Sequence, residues 1–248
     1  MLEVDKLNVF FGGLRAVSDV SFGVKRGQIK AIIGPNGAGK TTVFNAITGV
    51  YRPSAGTVKF KGADVTGFKT TAIVERGLAR TFQIVRLFQE LTVLENVMVG
   101  LHRRGRAGLF DSMLHLPRVR AEERSFRESS WQKLAFVGLT GMANELAGAL
   151  PFGQQRLLEI ARCLASGPDL LLVDEPAAGL NDAETLRLAT LLRRIRDAGI
   201  TILLVEHNME LVMSVSDEIV VLNYGEKIAE GPPIQIQSNP DVIQAYLG

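Results

Sequence analysis

One cysteine among 248 residues excludes an internal disulfide. The start, Met-Leu-Glu-Val-Asp-Lys, lacks the basic-then-apolar order of an export signal, and both features point to the cytoplasm. No uninterrupted apolar stretch approaches the roughly 20 residues that cross a bilayer, the longest being short runs such as Ile200–Val205. Any service to a membrane is therefore given from outside the lipid. Charge of one sign is also scarce: the net charge is +2, too small to argue for nucleic acid, and no groove pattern of aromatics and positive charge replaces it. Long repeats and low-complexity linkers are missing. With 46% apolar and 22% charged residues, the chain reads as a globular protein able to bury a sizeable core, as a single domain over 1–248.

Apolar patterning alternates between strands and helices. Leu2–Phe11 and Ala16–Val24 read as strands turning at Gly12-Gly13, and suggest an antiparallel piece. Gln28–Ile33 is an apolar run entering a Gly-rich loop, followed by a helix over 41–48 that Gly49 closes. Thr57–Lys61 and Leu78–Phe82 read as further strands. Val93 to Trp131, and on to Ala149, is mostly helical in pattern and rich in arginine, an insert of approximately 86–165. Then come helix 154–165, strand Leu170–Val173, helix 183–197, strand Ile200–Val205 and, after a short helix, strand Glu218–Leu222. The alternation predicts an α/β fold with a mainly parallel sheet. Asn181 and Glu184 have capping-box spacing, and Gly199 stands where a helix would stop.

Gly34-Pro35-Asn36-Gly37-Ala38-Gly39-Lys40-Thr41 satisfies the phosphate-loop pattern G-x-x-x-x-G-K-[ST] in full, between a strand and a helix. Glycines let backbone N–H groups turn inward around phosphates, and the helix N-terminus adds partial positive charge. Lys40 is the ligand for the β- and γ-phosphates, Thr41 the Mg²⁺ ligand, and Thr42 lies beside them in the nucleotide-binding set. The cofactors implied are ATP and Mg²⁺. Leu170-Leu171-Leu172-Val173-Asp174 is a buried-strand run ending in a carboxylate, the Walker B pattern, which assigns Asp174 to the metal. Side chains alternate along a strand, so Glu175 can direct its carboxylate at an attacking water and is the candidate base. An acidic turn before Pro176 is the bland alternative, and the phosphate loop weighs against it. The absence of an Asn-Lys-x-Asp base-reading segment weakens a GTPase reading.

The remaining motifs, in their order, resemble the ABC ATPase family. Gln83 in Arg80-Thr81-Phe82-Gln83 matches its Q-loop, Leu150-Pro151-Phe152-Gly153-Gln154 its signature, Gly179-Leu180-Asn181 its D-loop, and His207 its switch histidine. The resemblance covers nearly the whole chain and implies a P-loop NTPase core with an N-terminal antiparallel β subdomain and a helical ABC subdomain. It implies that Phe11 stacks on adenine, although an aromatic there is equally suited to the core. Gln83 is implied to contact Mg²⁺ and water and to couple to a membrane partner, and His207 to hold the γ-phosphate. Gly153 and Gln154 of one subunit would close over the phosphate loop of another, in a dimer with an identical chain or a paralogue. Free N–H groups ahead of a helix at Gly153-Gln154-Gln155 suit that task.

Two departures from the family pattern matter. Pro151 and Phe152 replace the serine and first glycine of the common Leu-Ser-Gly-Gly-Gln, removing a hydroxyl contact to phosphate, and Asn181 replaces the usual D-loop aspartate. With Phe11-Gly12-Gly13-Leu14, Glu175 to Asn181, the C-terminal Asn239 to Ile243 and Ala245 to Gly248, these features are similar to branched-chain amino acid import ATPases. The insert with Gly108-Leu109-Phe110 resembles the larger of that system's two ATPase types. Urea, amide and aromatic-acid importers and the lipopolysaccharide-export ATPase share part of the pattern. A soluble ABC-type ATPase acting on nucleic acid or ribosomes is the reading from another class, weakened by the single cassette. The implied partners are transmembrane permease subunits and, indirectly, a periplasmic or extracellular binding protein, with no nucleic acid; the implied place is peripheral, on the cytoplasmic face of the membrane. Arg103, Arg104, Arg106, Arg118, Arg120, Arg124 and Arg127, offset by Asp111, Glu122 and Glu123, suit a solvated helix face or a contact with an anionic surface.

Overall fold

The computed structural model describes residues 1–81, 86–101 and 117–247, with the side chains of 117–122 and 247 left out. The chain forms two compact units, Met1–Arg80 with Asp169–Gly248, and Thr81–Pro168.

The first unit holds two sheets. Strands β1 (Leu2–Phe11), β2 (Leu14–Val24), β4 (Ala55–Phe60) and β5 (Ala63–Asp64) pair antiparallel in the order β2-β1-β4-β5. The second sheet has the order β10-β9-β3-β8-β7-β6, from β3 (Ile29–Ile33), β6 (Leu78–Arg80), β7 (Leu170–Asp174), β8 (Thr201–Val205), β9 (Glu218–Asn223) and β10 (Glu226–Gly231). All neighbours in it are parallel except β9 with β10. Every residue of β3, β7 and β8 is buried, which is why these strands read as unbroken apolar runs instead of alternating.

Helix α1 (Lys40–Ile47) follows β3, α2 (Thr70–Glu75) precedes β6, and the strand read to Phe82 ends at Arg80. The helix predicted over 183–197, numbered α6 in chain order, spans Asp182–Asp197 and carries the expected capping box: the Asn181 side chain accepts from the Glu184 N–H at 3.0 Å and Glu184 accepts from the Asn181 N–H at 3.0 Å. Helix α7 (Met209–Val215) links β8 to β9. Strand β10 and the helices α8 (Pro233–Gln237) and α9 (Pro240–Leu247) were not read from the sequence; the strand's burial is only partial, so its apolar signal is weak.

The second unit is helical among its described residues: α3 (Val93–Leu101), α4 (Pro117–Val137) and α5 (Phe152–Ala165) pack around Val93, Val97, Leu134, Leu158 and Leu164. The continuous helical reading toward Ala149 is interrupted by Gly138 at φ 81° and by short 3₁₀ turns at Thr140–Met142 and Ala147–Ala149. Asn96, fully buried, fastens the preceding segment by accepting from the Phe88 N–H and donating to the Phe88 carbonyl. On α5, burial pushes the Cys163 thiol up to about 12. Gly108-Leu109-Phe110, Arg103, Arg104, Arg106 and Asp111 lie outside the described residues, as do the side chains of Arg118, Arg120 and Glu122.

A buried charge also ties the strands of the first unit together. Lys30, in the middle of β3, is 1% exposed; its ammonium donates to the Gly23 carbonyl at 2.6 Å and pairs with Glu218 and Glu230. It thereby ties β3 to β9, β10 and β2. Hydrogen bonds from Lys30 and then Gln28 hold the Glu218 carboxyl down at about 2. A carboxyl whose folded pKa is depressed adds stability above its unfolded value of about 4.3, and that increment disappears as pH falls toward about 2. Lys30→Ala is expected to cost about 2 kcal/mol near neutrality, reduced from the fully buried case because both glutamates reach solvent. Thermal unfolding from pH 7 to pH 2 should show a shallower acid decline in Lys30→Ala than in the wild type; equal slopes would remove Lys30 as the cause.

Candidate functional site

The parallel register brings three loops together. Ile32 of β3 and Asp174 of β7 both pair with Val205 of β8, so the segments leaving all three strands emerge at one edge. That edge, beyond the carboxyl ends of parallel strands, is where such sheets bind ligands.

The first segment is the glycine loop. Gly34 has φ 150°, and a Cβ there would stand 2.1 Å from the Leu222 carbonyl oxygen; Gly39 has φ 97°, and its Cβ would meet the Ala16 oxygen at 2.7 Å. Neither position accepts a side chain. Gly39 is also the N-cap of α1 and offers no side-chain cap, leaving the first-turn N–H groups to an outside acceptor. Lys40, 6% exposed, donates through Nζ to the carbonyls of Gly34 at 2.7 Å and Pro35 at 3.0 Å. Its pKa is lowered, chiefly by desolvation, against the opposing charges of Glu175 and Asp174. Asn36, Gly37 and Thr41 are exposed, Thr42 is half-buried and Ala38 is buried.

The second segment leaves β7. Asp174 is 1% exposed, and Arg80 donates to its Oδ2 at 2.7 Å. The same guanidinium donates to Asn45 Oδ1 at 2.6 Å and Thr48 Oγ1 at 3.0 Å, tying β7 to the phosphate-loop helix. Arg80 was missed as a site residue; its signal was a basic residue at the exit of a strand ahead of the expected Q-loop. The Thr41 hydroxyl and the Asp174 carboxylate are hard oxygen donors, the kind Mg²⁺ takes in small number with phosphate and water completing its shell, so their chemistry fits the ion. Glu175 follows with φ 45°, and its N–H donates to the Val205 carbonyl at 2.8 Å.

The third segment leaves β8 with Glu206 and His207. Glu175 Oε2 lies 3.9 Å from His207 Nδ1, so the sheet brings these two expected residues together. At the tip of the β1–β2 hairpin, Phe11 is 44% exposed, which removes the core alternative, and its ring meets Tyr51 edge-on at 5.1 Å between centroids. Gln83 lies outside the described residues.

The signature segment, in the second unit, departs from expectation in one respect. Helix α5 begins at Phe152 with Pro151 as its N-cap, so Gln154 and Gln155 lie inside the first turn and donate their N–H groups to the Pro151 carbonyl at 2.9 and 3.0 Å. The expected free donors at Gln154 and Gln155 are therefore taken, and the open helix end is at Phe152 and Gly153. Proline's fixed φ sets this early start. Phe152 is 45% exposed, with the Arg156 guanidinium 5.3 Å from its ring centroid. Gln154 Oε1 is buried and has no hydrogen-bond partner among the described residues.

Comparison with known proteins bears on the whole chain. Residues 17–178 match the family model described as ABC transporter. The chain belongs to the ABC transporter ATPase family. Residues 226–248 match a second model, described as branched-chain amino acid ATP-binding cassette transporter. The chain is 48% identical to the high-affinity branched-chain amino acid transport ATP-binding protein BraF of Pseudomonas aeruginosa, and 46% identical to the LivG protein of the same description from Escherichia coli, covering 100% of this chain and 98% of each relative. A solved ATP-binding cassette of an ABC transporter in its ADP conformation is 32% identical, with a TM-score of 0.88 over 100% of this chain and 98% of that one. This ABC ATPase has no helix among its described residues long and apolar enough to cross a membrane.

Arg80 yields a prediction. Arg80→Met leaves the Asp174 carboxylate buried without its cation and is expected to lower the unfolding free energy by about 3 kcal/mol. Arg80→Lys, lacking the planar fork, should recover less than about half of that. Chemical denaturation of the three proteins tests both, and an Arg80→Met chain as stable as the wild type would remove Arg80 as the tie.

Proposed function

We propose that this chain is the ATP-hydrolysing motor of an importer of branched-chain or other apolar amino acids. The observation that carries the reading is the end-to-end likeness to BraF and LivG, described as branched-chain amino acid transport ATP-binding proteins, together with the C-terminal match over 226–248. Nothing in the motifs reads an amino acid, so selectivity belongs to permease subunits and, indirectly, to a periplasmic or extracellular binding protein. The motor works peripherally at the cytoplasmic face of the membrane, paired with an identical chain or a paralogue. The helical subdomain, expected at approximately 86–165, is read here onto the unit Thr81–Pro168.

In this reading the adenine lies against Phe11, and the triphosphate lies along Gly34 to Thr42, where loop N–H groups and the start of α1 receive it. Lys40 exchanges the Gly34 and Pro35 carbonyls for β- and γ-phosphate oxygens, a move that its flexible stem permits. Thr41 and Asp174, with Gln83, would hold Mg²⁺, which neutralises phosphate charge when bound. Glu175 accepts a proton from the attacking water, and His207 beside it donates to the γ-phosphate. Gly153, at the open end of α5, and Gln154 act on the partner's nucleotide.

Lys40→Ala should weaken ATP binding by at least about tenfold, whereas Glu175→Gln should bind normally and lose about 100-fold or more in kcat. Equilibrium ATP binding beside phosphate release separates the two, and equal loss of binding in both variants would sink Glu175 as base. ATP-loaded Glu175→Gln should also double its mass by light scattering, alone or with a paralogous ATPase; a persistent monomer counts against the paired sites.

Uptake of labelled leucine, urea and an aromatic acid, in cells carrying wild-type or Lys40→Ala chain, tests the cargo class. Leucine uptake should fall to background while the others hold. Leucine uptake unchanged beside a collapse of urea or aromatic-acid uptake would refute the amino-acid assignment.

A further inference from the structure

The loop leaving β8 opens with a carboxylate that has no part in the chemistry above. Glu206 is 0% exposed, and a buried carboxylate persists only where donors replace its water. Its donors are backbone groups from two loops. Oε1 accepts from the Ala177 N–H at 2.7 Å; Oε2 accepts from the His207 N–H at 2.9 Å and the Asn208 N–H at 3.0 Å. Ala177 is two residues beyond Glu175, and His207 is the next residue along. One side chain therefore clasps the loop that carries Glu175 and the loop that carries His207.

The clasp falls beside one of the positive-φ residues of the chain. Glu175 has φ 45°, a region that non-glycine residues rarely occupy and that persists only where neighbours impose it. Three hydrogen bonds help to impose it: the Glu175 N–H bonds the Val205 carbonyl at 2.8 Å, the Ala178 N–H bonds the Glu175 carbonyl at 3.2 Å, and the Ala177 N–H is anchored on Glu206. Val205 and Glu206 are adjacent on the same strand exit. The strained turn is thus pinned at two consecutive residues, the last of β8 and the first of the loop leaving it, and His207 follows directly.

We propose that Glu206 is a positioning residue that joins the Glu175 and His207 loops into one rigid frame, fixing the 3.9 Å approach of the two side chains during hydrolysis. The proposal rests on the reading of Glu175 and His207 as the hydrolytic pair. An amide of the same shape cannot do this work. A glutamine has one accepting oxygen and an NH₂ group that would face an N–H, so it must abandon either Ala177 or the His207–Asn208 pair. The charge assistance to all three bonds is lost as well.

The test uses the full chain as Glu206→Gln, His207→Ala and the double variant, with ATP affinity from titration of a fluorescent ATP analogue and turnover from phosphate release. Glu206→Gln should bind within about twofold of the wild type and turn over about 30-fold more slowly. The double variant should be within about threefold of His207→Ala alone, because residues acting as a unit do not add. Wild-type turnover in Glu206→Gln, or a loss that multiplies in full onto His207→Ala, overturns the proposal. Should Glu206→Gln fail to fold, hydrogen exchange in the wild-type chain decides. The Ala177, His207 and Asn208 amides should exchange together, about 100-fold more slowly than loop amides at the Gly12-Gly13 turn, and fast or unrelated exchange overturns the clasp. A Glu175→Gln chain that still hydrolyses ATP would instead remove the base assignment and leave the exchange result standing.

Discussion

The parallel pairing of β3, β8 and β7 is the constraint on which the site depends. These strands are buried throughout, so a slip in register would expose apolar side chains and bury the polar ends. With register fixed, Ile32, Val205 and Asp174 lie side by side, and the glycine loop, the acidic turn and the switch loop begin at one level. The starting level of the three loops is thus set by backbone pairing and strand burial, before any reactive side chain finds its partner.

Around that edge, charge is held in place by specific partners. Asp174 is met by Arg80, Glu206 by three backbone N–H groups, and Lys40 by two carbonyls. In a low-dielectric setting an uncompensated charge is costly, so each pairing also orients the group concerned. Lys40 is bound by neutral acceptors, weaker than a carboxylate partner, and so can exchange them for phosphate.

Much of this was legible in sequence where the signal is contiguous. The phosphate loop, the Asp174-Glu175 exit and the Asn181–Glu184 box are local patterns, and geometry within a few residues enforces them. Arg80, Tyr51 and Glu206 were not read, because their meaning comes from partners 94, 40 and 29 positions away for Asp174, Phe11 and Ala177. The start of α5 was misplaced by two residues because Pro151 was weighed for the hydroxyl it lacks and not for the helix it begins. Strand β10 is half-exposed and α8 is only five residues long, so neither leaves a strong periodic trace.

The quiet thiol of Cys163 has a practical meaning. Held up at about 12, it is almost wholly protonated under ordinary conditions and is a poor nucleophile toward maleimides or iodoacetamides. The thiol is only half-buried, so its low reactivity comes from staying protonated. A single engineered surface cysteine would carry a fluorophore or spin label with less competition, so local movements could be followed as ATP is added without first replacing a native residue of α5.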